Sequence, residues 1–101
     1  MKKPKSIIII AREWHDKING NSYFSATVYV DDYLYARLPF QYGYGDCYID
    51  VARDTMVQRG RLPKVPVYRY GMQQLWQYCQ DNDIALHSEK VRVARQRDAK
   101  N

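Results

Sequence analysis

Between residues 6 and 40 lie three strand-like runs separated by short polar breaks, and the second and third alternate apolar and polar positions at a period of two. The first run, "SIIIIAREWHD" from Ser6, opens on four consecutive isoleucines. β-Branched side chains favour strands, and an unbroken apolar run predicts a strand covered on both faces for part of its length. Asn19-Gly20 follows as a short hairpin signal, since both residues tolerate positive φ. In "YFSATVYV" the alternation is strict: Phe24, Ala26, Val28 and Val30 point one way, Tyr23, Ser25, Thr27 and Tyr29 the other. After Asp31-Asp32, "YLYARLPF" predicts a third strand with Leu34, Ala36, Leu38 and Phe40 opposite Tyr33, Tyr35 and Arg37. Pro39 removes a backbone donor and marks an edge or a strand end.

Beyond residue 46 the period lengthens. Tyr48, Val51, Ala52 and Thr55 recur at helical spacing, which predicts a helix over Cys47–Arg59, capped by Asp46 and ended by Gly60. In "QYGYGDCYID", Gly43 and Gly45 loosen the backbone for the turn from strand into helix. "RLPKVP" reads as a connector. Met72, Leu75, Trp76 and Cys79 then predict a second helix from about Tyr70 to Asn82, with Trp76 on its buried stripe. "IALHSEKVRV" reads as a last strand and "ARQRDAKN" as a frayed basic tail. The order βββααβ predicts an α+β fold: a two-layer sandwich of an antiparallel sheet with two helices on its aliphatic face and no cover on the other. The 101 residues make a single domain, 1–101, whose basic ends (1–5 and about 95–101) are expected to be flexible.

The net charge of +5 favours polyanionic partners and argues against an acidic mimic of DNA. Basic residues gather in three places: Lys2, Lys3 and Lys5; Arg53, Arg59, Arg61, Lys64 and Arg69; and Lys90, Arg92, Arg95, Arg97 and Lys100. No apolar run is long enough for a signal core or a membrane span, so a soluble cytoplasmic protein is expected, without membrane contact. Cys47 and Cys79 form no CxxC pair and too few ligands for zinc, so they are expected to be reduced thiols. There is no GxGxxG and no phosphate-loop lysine, so neither a cofactor nor a metal is expected.

Ten tyrosines in so short a chain direct attention to the polar sheet face. Aromatic rings on an open sheet stack bases while cations track phosphates. The candidate binding residues are Tyr23, Tyr29, Tyr33, Tyr35 and Arg37 on the sheet, Tyr42 and Tyr44 at its end, and Arg92, Arg95 and Arg97 for charge. Tyrosine is also simply a good strand residue, and a homodimer through the sheet face would use the same side chains. For catalysis only His15 beside Asp16, His87, and the Asp50/Asp54 pair present themselves, and none has the setting of a nucleophile or an acid–base pair. No enzymatic activity is expected.

"REWHDKINGNSYFSATVYVDD" followed by "PFQYGYGDCY" resembles a group of small accessory proteins encoded by bacteriophages and prophages. The shared features are Trp14 on the early strand, a Gly-Asn-x-Tyr-x-Ser turn (Gly20, Asn21, Tyr23, Ser25) and a Tyr-Gly-Tyr-Gly-Asp-x-Tyr junction (Tyr42 to Asp46, and Tyr48). The resemblance covers roughly the first 60 residues and carries no catalytic residue. It implies a protein of the infected bacterial cytoplasm that binds nucleic acid or a host nucleoprotein complex, including a defence system. The alternative is a protein-only inhibitor of a host defence enzyme.

Overall fold

The computed structural model describes residues 3–62, 67–68, 71–72 and 75–100. Among these residues, six strands and three helices follow in the order β1 (Ser6–Asp16), β2 (Asn21–Val30), β3 (Tyr33–Tyr42), α1 (Cys47–Gln58), β4 (Val67–Tyr68), β5 (Gly71–Met72), α2 (Leu75–Asp81), β6 (Ala85–Val93) and α3 (Gln96–Ala99). Part of the "RLPKVP" connector, Tyr70, Gln73 and Gln74 of the expected second helix, and Lys2, Lys64 and Arg69 lie outside the described residues.

The class is α+β, and the first three strands form the expected meander. The four-stranded sheet has the order β3-β2-β1-β6, with β1 antiparallel to β2 and β2 antiparallel to β3. The expectation of a purely antiparallel sheet fails at the last strand. β6 runs parallel to β1, with Ile7 opposite Leu86 and Glu13 opposite Arg92. The long connection through α1 and α2 lets the chain re-enter at the end where β1 begins, which a short turn could not do. The second helix is also shorter than expected: Gly71 and Met72 pair with Tyr68 and Val67 in a separate two-stranded ladder. Trp76 is 57% exposed, while Leu75 and Cys79 carry the buried face of α2.

The core lies between the sheet and α1 with α2. Ile7, Ile9 and Ala11 of β1 and Phe24, Ala26, Val28 and Val30 of β2 join Tyr48, Ala52 and Met56 of α1 in one buried cluster. The three α1 residues are four apart, so they stack along one side of the helix. Fully burying a side chain such as Met56 stabilises by about 1.5–3 kcal/mol. Gly60, at φ +74, ends α1: Arg61 N–H donates to Met56 O (2.8 Å) and Gly60 N–H to Val57 O (3.0 Å). That pairing satisfies two carbonyls of the last turn. At the other end Asp46 stands at the cap position, but its side chain makes no capping hydrogen bond.

The turns also differ from expectation. Asp31 and Asp32 both take positive φ (52° and 70°), so this pair, not Asn19-Gly20, makes the tight two-residue hairpin. The β1–β2 connection is longer. Only Gly20 there has positive φ, and Asp16 braces the loop by accepting from Ile18 N–H, Asn19 N–H and the Asn19 side-chain amide.

The C-terminal segment was expected to fray, but its α3 folds back onto the sheet face opposite α1. Ser25 Oγ donates to Ala99 O, Ala99 is fully buried, and the Lys100 ammonium stands 5.5 Å from the centre of the Phe40 ring. The face expected to be uncovered is therefore covered in part.

Candidate functional site

Register across the sheet places the residues of the open face in rows. Tyr42, Tyr23, Trp14 and Val93 stand opposite one another across β3, β2, β1 and β6. Ser25, Arg12 and Val91 form the next row, then Arg37, Thr27, Ile10 and Glu89, then Leu34, Tyr29, Ile8 and His87. Rows are two residues apart, about 7 Å along each strand.

Two irregularities in β3 decide which side chains reach this face. Between Val28↔Ala36 and Tyr29↔Leu34 the third strand carries one extra residue, Tyr35. Leu34 is thereby set opposite Tyr29 and is 51% exposed, although simple alternation puts it in the core. Tyr35 packs against the core cluster, with the Arg59 guanidinium 5.4 Å from its ring centre and Arg59 Nη1–H donating to Tyr35 O. A second bulge lies at Pro39-Phe40, between Ala26↔Leu38 and Phe24↔Gln41. It brings Phe40 round to stack on Tyr23, at 5.4 Å and 12° between ring planes.

The result is a continuous run of five aromatic rings. Trp14 stacks on Tyr23 (5.9 Å), and Tyr23 stacks on Phe40. Tyr42 meets Tyr23 edge-on at 5.8 Å, and Tyr44 meets Tyr42 edge-on at 6.5 Å. Trp14, Tyr23 and Phe40 are half-buried, whereas Tyr42 and Tyr44 are 58% and 68% exposed. The inner rings hold one another in place and the outer two present open faces and edges.

The expected site residues therefore divide. Tyr23, Tyr42 and Tyr44 belong to the aromatic run, and Tyr29 and Arg37 line a depression beside it. Tyr33 is exposed at the hairpin end, opposite Val30 and away from the run. Tyr35 belongs to the helix-bearing side, because the bulge turns it there. Arg92 is bound to Glu13 at 3.2 Å, and Arg95 to Asp98 at 3.3 Å within α3. Arg97 is exposed on α3. Alternation misses Phe40 and Lys100; it does put Arg12 and Trp14 on the face of Ile8 and Ile10, although neither is among the expected binding residues. Pro39 was the available signal for Phe40, since proline inside a strand pattern marks a bulge.

The glycine-rich junction at 43–46 is built by packing. Gly43 N–H donates to Ser22 O (3.0 Å), and a Cβ on Gly43 would meet the Phe24 ring at 2.6 Å. Gly45 has φ +60, and its carbonyl accepts from Lys90 Nζ at 3.1 Å. Lys90 also reaches Glu13 at 3.1 Å, so the buried Glu13 carboxylate, Lys90 and Arg92 tie β1 and β6 to the loop that carries Tyr44.

Two of the groups considered for catalysis have local partners. Arg53 lies between Asp50 (3.4 Å) and Asp54 (3.0 Å), and His15 Nδ1 is 2.9 Å from Ser22 Oγ. Among the described residues no three His, Cys, Asp or Glu side chains converge as a metal site requires, and no helix is long and apolar enough to cross a membrane. No protein-family model matches the chain, and no match is found among curated proteins or among solved structures.

Proposed function

We propose that this chain is a non-catalytic accessory protein that binds single-stranded nucleic acid across the open face of its sheet. One observation carries the proposal: the run Trp14–Tyr23–Phe40–Tyr42–Tyr44 ends in two exposed rings and lies beside Arg12, Arg37 and Lys100. Exposed rings receive bases whatever their identity, since every base has a π-face, and each such stack is worth about 1–3 kcal/mol. Duplex bases are already stacked on one another, so the arrangement favours single strands. Cations beside the rings supply the salt-sensitive part of the affinity. The likeness of the first 60 residues to phage and prophage proteins fits a role on nucleic acid, or on a nucleoprotein complex, in an infected bacterium.

The second reading is a protein-only inhibitor, for which the exposed Leu34, Tyr42 and Tyr44 would serve as anchors. Aromatic anchors give affinity to protein partners as well. A homodimer through this face belongs to the same class of outcome.

Fluorescence anisotropy of labelled single-stranded DNA, duplex DNA and RNA, at low and at near-physiological salt, separates these. Nucleic-acid binding predicts single strands to bind more tightly than duplex, with affinity that falls but persists at the higher salt. Tyr42→Ala with Tyr44→Ala should weaken it at least about tenfold. No binding at either salt, or binding untouched by the double substitution, overturns the proposal.

A further inference from the structure

Beside the aromatic run the open face sinks into a depression of about 360 Å³. Its lining includes Arg12, Arg37 and Lys100 with the hydroxyl-bearing Ser25, Thr27 and Tyr29, and holds no acidic residue among the described ones. Five other basic side chains are neutralised: Arg53, Arg61, Lys90, Arg92 and Arg95 each have a carboxylate within 3.4 Å. Arg12, Arg37 and Lys100 make no such ion pair among the described residues. Among the described residues the fold thus gathers three basic side chains without an ion-pair partner around one concave site.

Register explains the convergence. Arg37 stands opposite Thr27 and Arg12 opposite Ser25, in adjacent rows of the same face, so the two guanidinium groups approach from β3 and β1 over the hydroxyls of β2. Lys100 joins them because Ser25 holds Ala99, its neighbour in sequence. A planar guanidinium fork matches the oxygens of a phosphate in two parallel hydrogen bonds, and the hydroxyls of Thr27 and Tyr29 supply further donors, while that of Ser25 is given to Ala99 O.

We propose that this depression is a phosphoryl-binding site, taking either a phosphate monoester or the diester of a nucleotide chain. Its relation to the rings extends the proposal. Arg12 and Trp14 are successive open-face residues of β1, about 7 Å apart. Lys100 lies over Phe40, the ring that stacks on Tyr23. A phosphate held by Arg12, Arg37 and Lys100 would therefore lie beside a base on the aromatic run. That second step rests on the nucleic-acid function proposed above, whereas the phosphoryl site itself does not.

The test is a titration of the isotope-labelled chain, followed by backbone amide NMR. The probes are inorganic phosphate, 5′-phosphorylated pentathymidylate and its 5′-hydroxyl counterpart. Inorganic phosphate should shift the amides of Ser25, Thr27 and Arg37 saturably, with millimolar affinity. Arg12→Gln with Arg37→Gln should weaken that binding at least tenfold without lowering the melting temperature. Arg12→Lys with Arg37→Lys should fall between, since the charge survives and the fork does not. Tyr42→Ala with Tyr44→Ala should leave phosphate binding unchanged while weakening both oligonucleotides. A phosphorylated oligonucleotide that binds more tightly than the hydroxyl form identifies a terminal monoester, and equal binding identifies an internal diester; either result supports the site. No saturable shift with inorganic phosphate, or a shift indifferent to the arginine substitutions, overturns the proposal even if the oligonucleotides bind. Phosphate binding without oligonucleotide binding supports the site and overturns the nucleic-acid function alone.

Discussion

The rings of Tyr23 and Phe40 lie 5.4 Å apart and within 12° of parallel. Alternation along β3 would put Phe40 on the helix-covered side, and only the extra residue at Pro39-Phe40 brings it to Tyr23. A bulge spoils the local ladder and re-aims a side chain. Here it joins what would be separate tyrosines into one aromatic surface, with Trp14 behind and Tyr42 and Tyr44 in front.

The loop that carries Tyr44 depends on Gly43. A Cβ there would stand 2.6 Å from Cε1 of Phe24, a ring only 2% exposed, and 3.2 Å from Cys47 Sγ. Gly43→Ala must displace a packed core ring and is expected to cost about 1–3 kcal/mol. Gly45→Ala meets no atom but sits at φ +60, so it should cost about 1–2 kcal/mol through backbone strain alone. Urea unfolding of both variants checks this, and a Gly43→Ala protein as stable as the parent would contradict the packing account.

Glu13 is the one buried carboxylate among the described residues, held between Lys90 and Arg92. Glu13→Gln should lose about 1–2 kcal/mol, because the partners keep some solvent access and the amide still hydrogen-bonds. Arg92→Gln should cost under about 0.5 kcal/mol, since that arginine is 76% exposed and its ion pair is screened. Equal losses in thermal melts of the two variants would show that burial does not set the difference.

These elements also show what was legible in the residues. Strict alternation in β2 is a sound guide: Phe24, Ala26, Val28 and Val30 are all buried. In β3 the same logic misplaces Leu34, Tyr35 and Phe40, because each bulge adds a residue and reverses the faces beyond it. The direction of β6 is illegible because a period of two is common to parallel and antiparallel strands. α3 is only four residues long and is held by Ser25 and Phe40, far away in sequence, so no periodicity reveals it. Arg92 reads as free charge until Glu13 is placed opposite it across the parallel ladder.

Acid should act through the Asp31 turn. Its carboxylate accepts from the N–H groups of Lys5 (2.6 Å) and Ser6 (3.1 Å), with the Arg61 guanidinium 3.2 Å away. The Lys5 amide first, then the Ser6 amide and the charge of Arg61, hold its pKa below the ordinary carboxylate value. A depressed folded pKa gives stability that is present above the unfolded value and lost as pH falls through the folded one. Melting temperature should therefore fall below about pH 4, and more steeply in the parent than in Asp31→Asn. Parallel pH profiles for the two proteins would refute a role for this carboxylate.

The two thiols should react differently. Burial pushes the Cys79 thiol up to about 11, so at pH 8 it holds almost no thiolate, whereas Cys47 is partly exposed. A thiol reagent at pH 8 should label Cys47 first and Cys79 only on unfolding. Equal rates by mass spectrometry would contradict the packing of α2.

The most direct measurement uses Trp14 as an internal reporter. Trp76 lies on α2, away from the aromatic run, so Trp76→Phe leaves Trp14 as the single tryptophan. Titration of that variant with oligothymidylate at near-physiological salt should change Trp14 emission saturably, with the same dissociation constant as anisotropy of the labelled oligonucleotide. The apparent affinity should fall at least about tenfold when Tyr42 and Tyr44 are replaced by alanine. Oligonucleotide binding that leaves Trp14 emission unaltered, or no binding at all, would contradict the assignment of function to the open face.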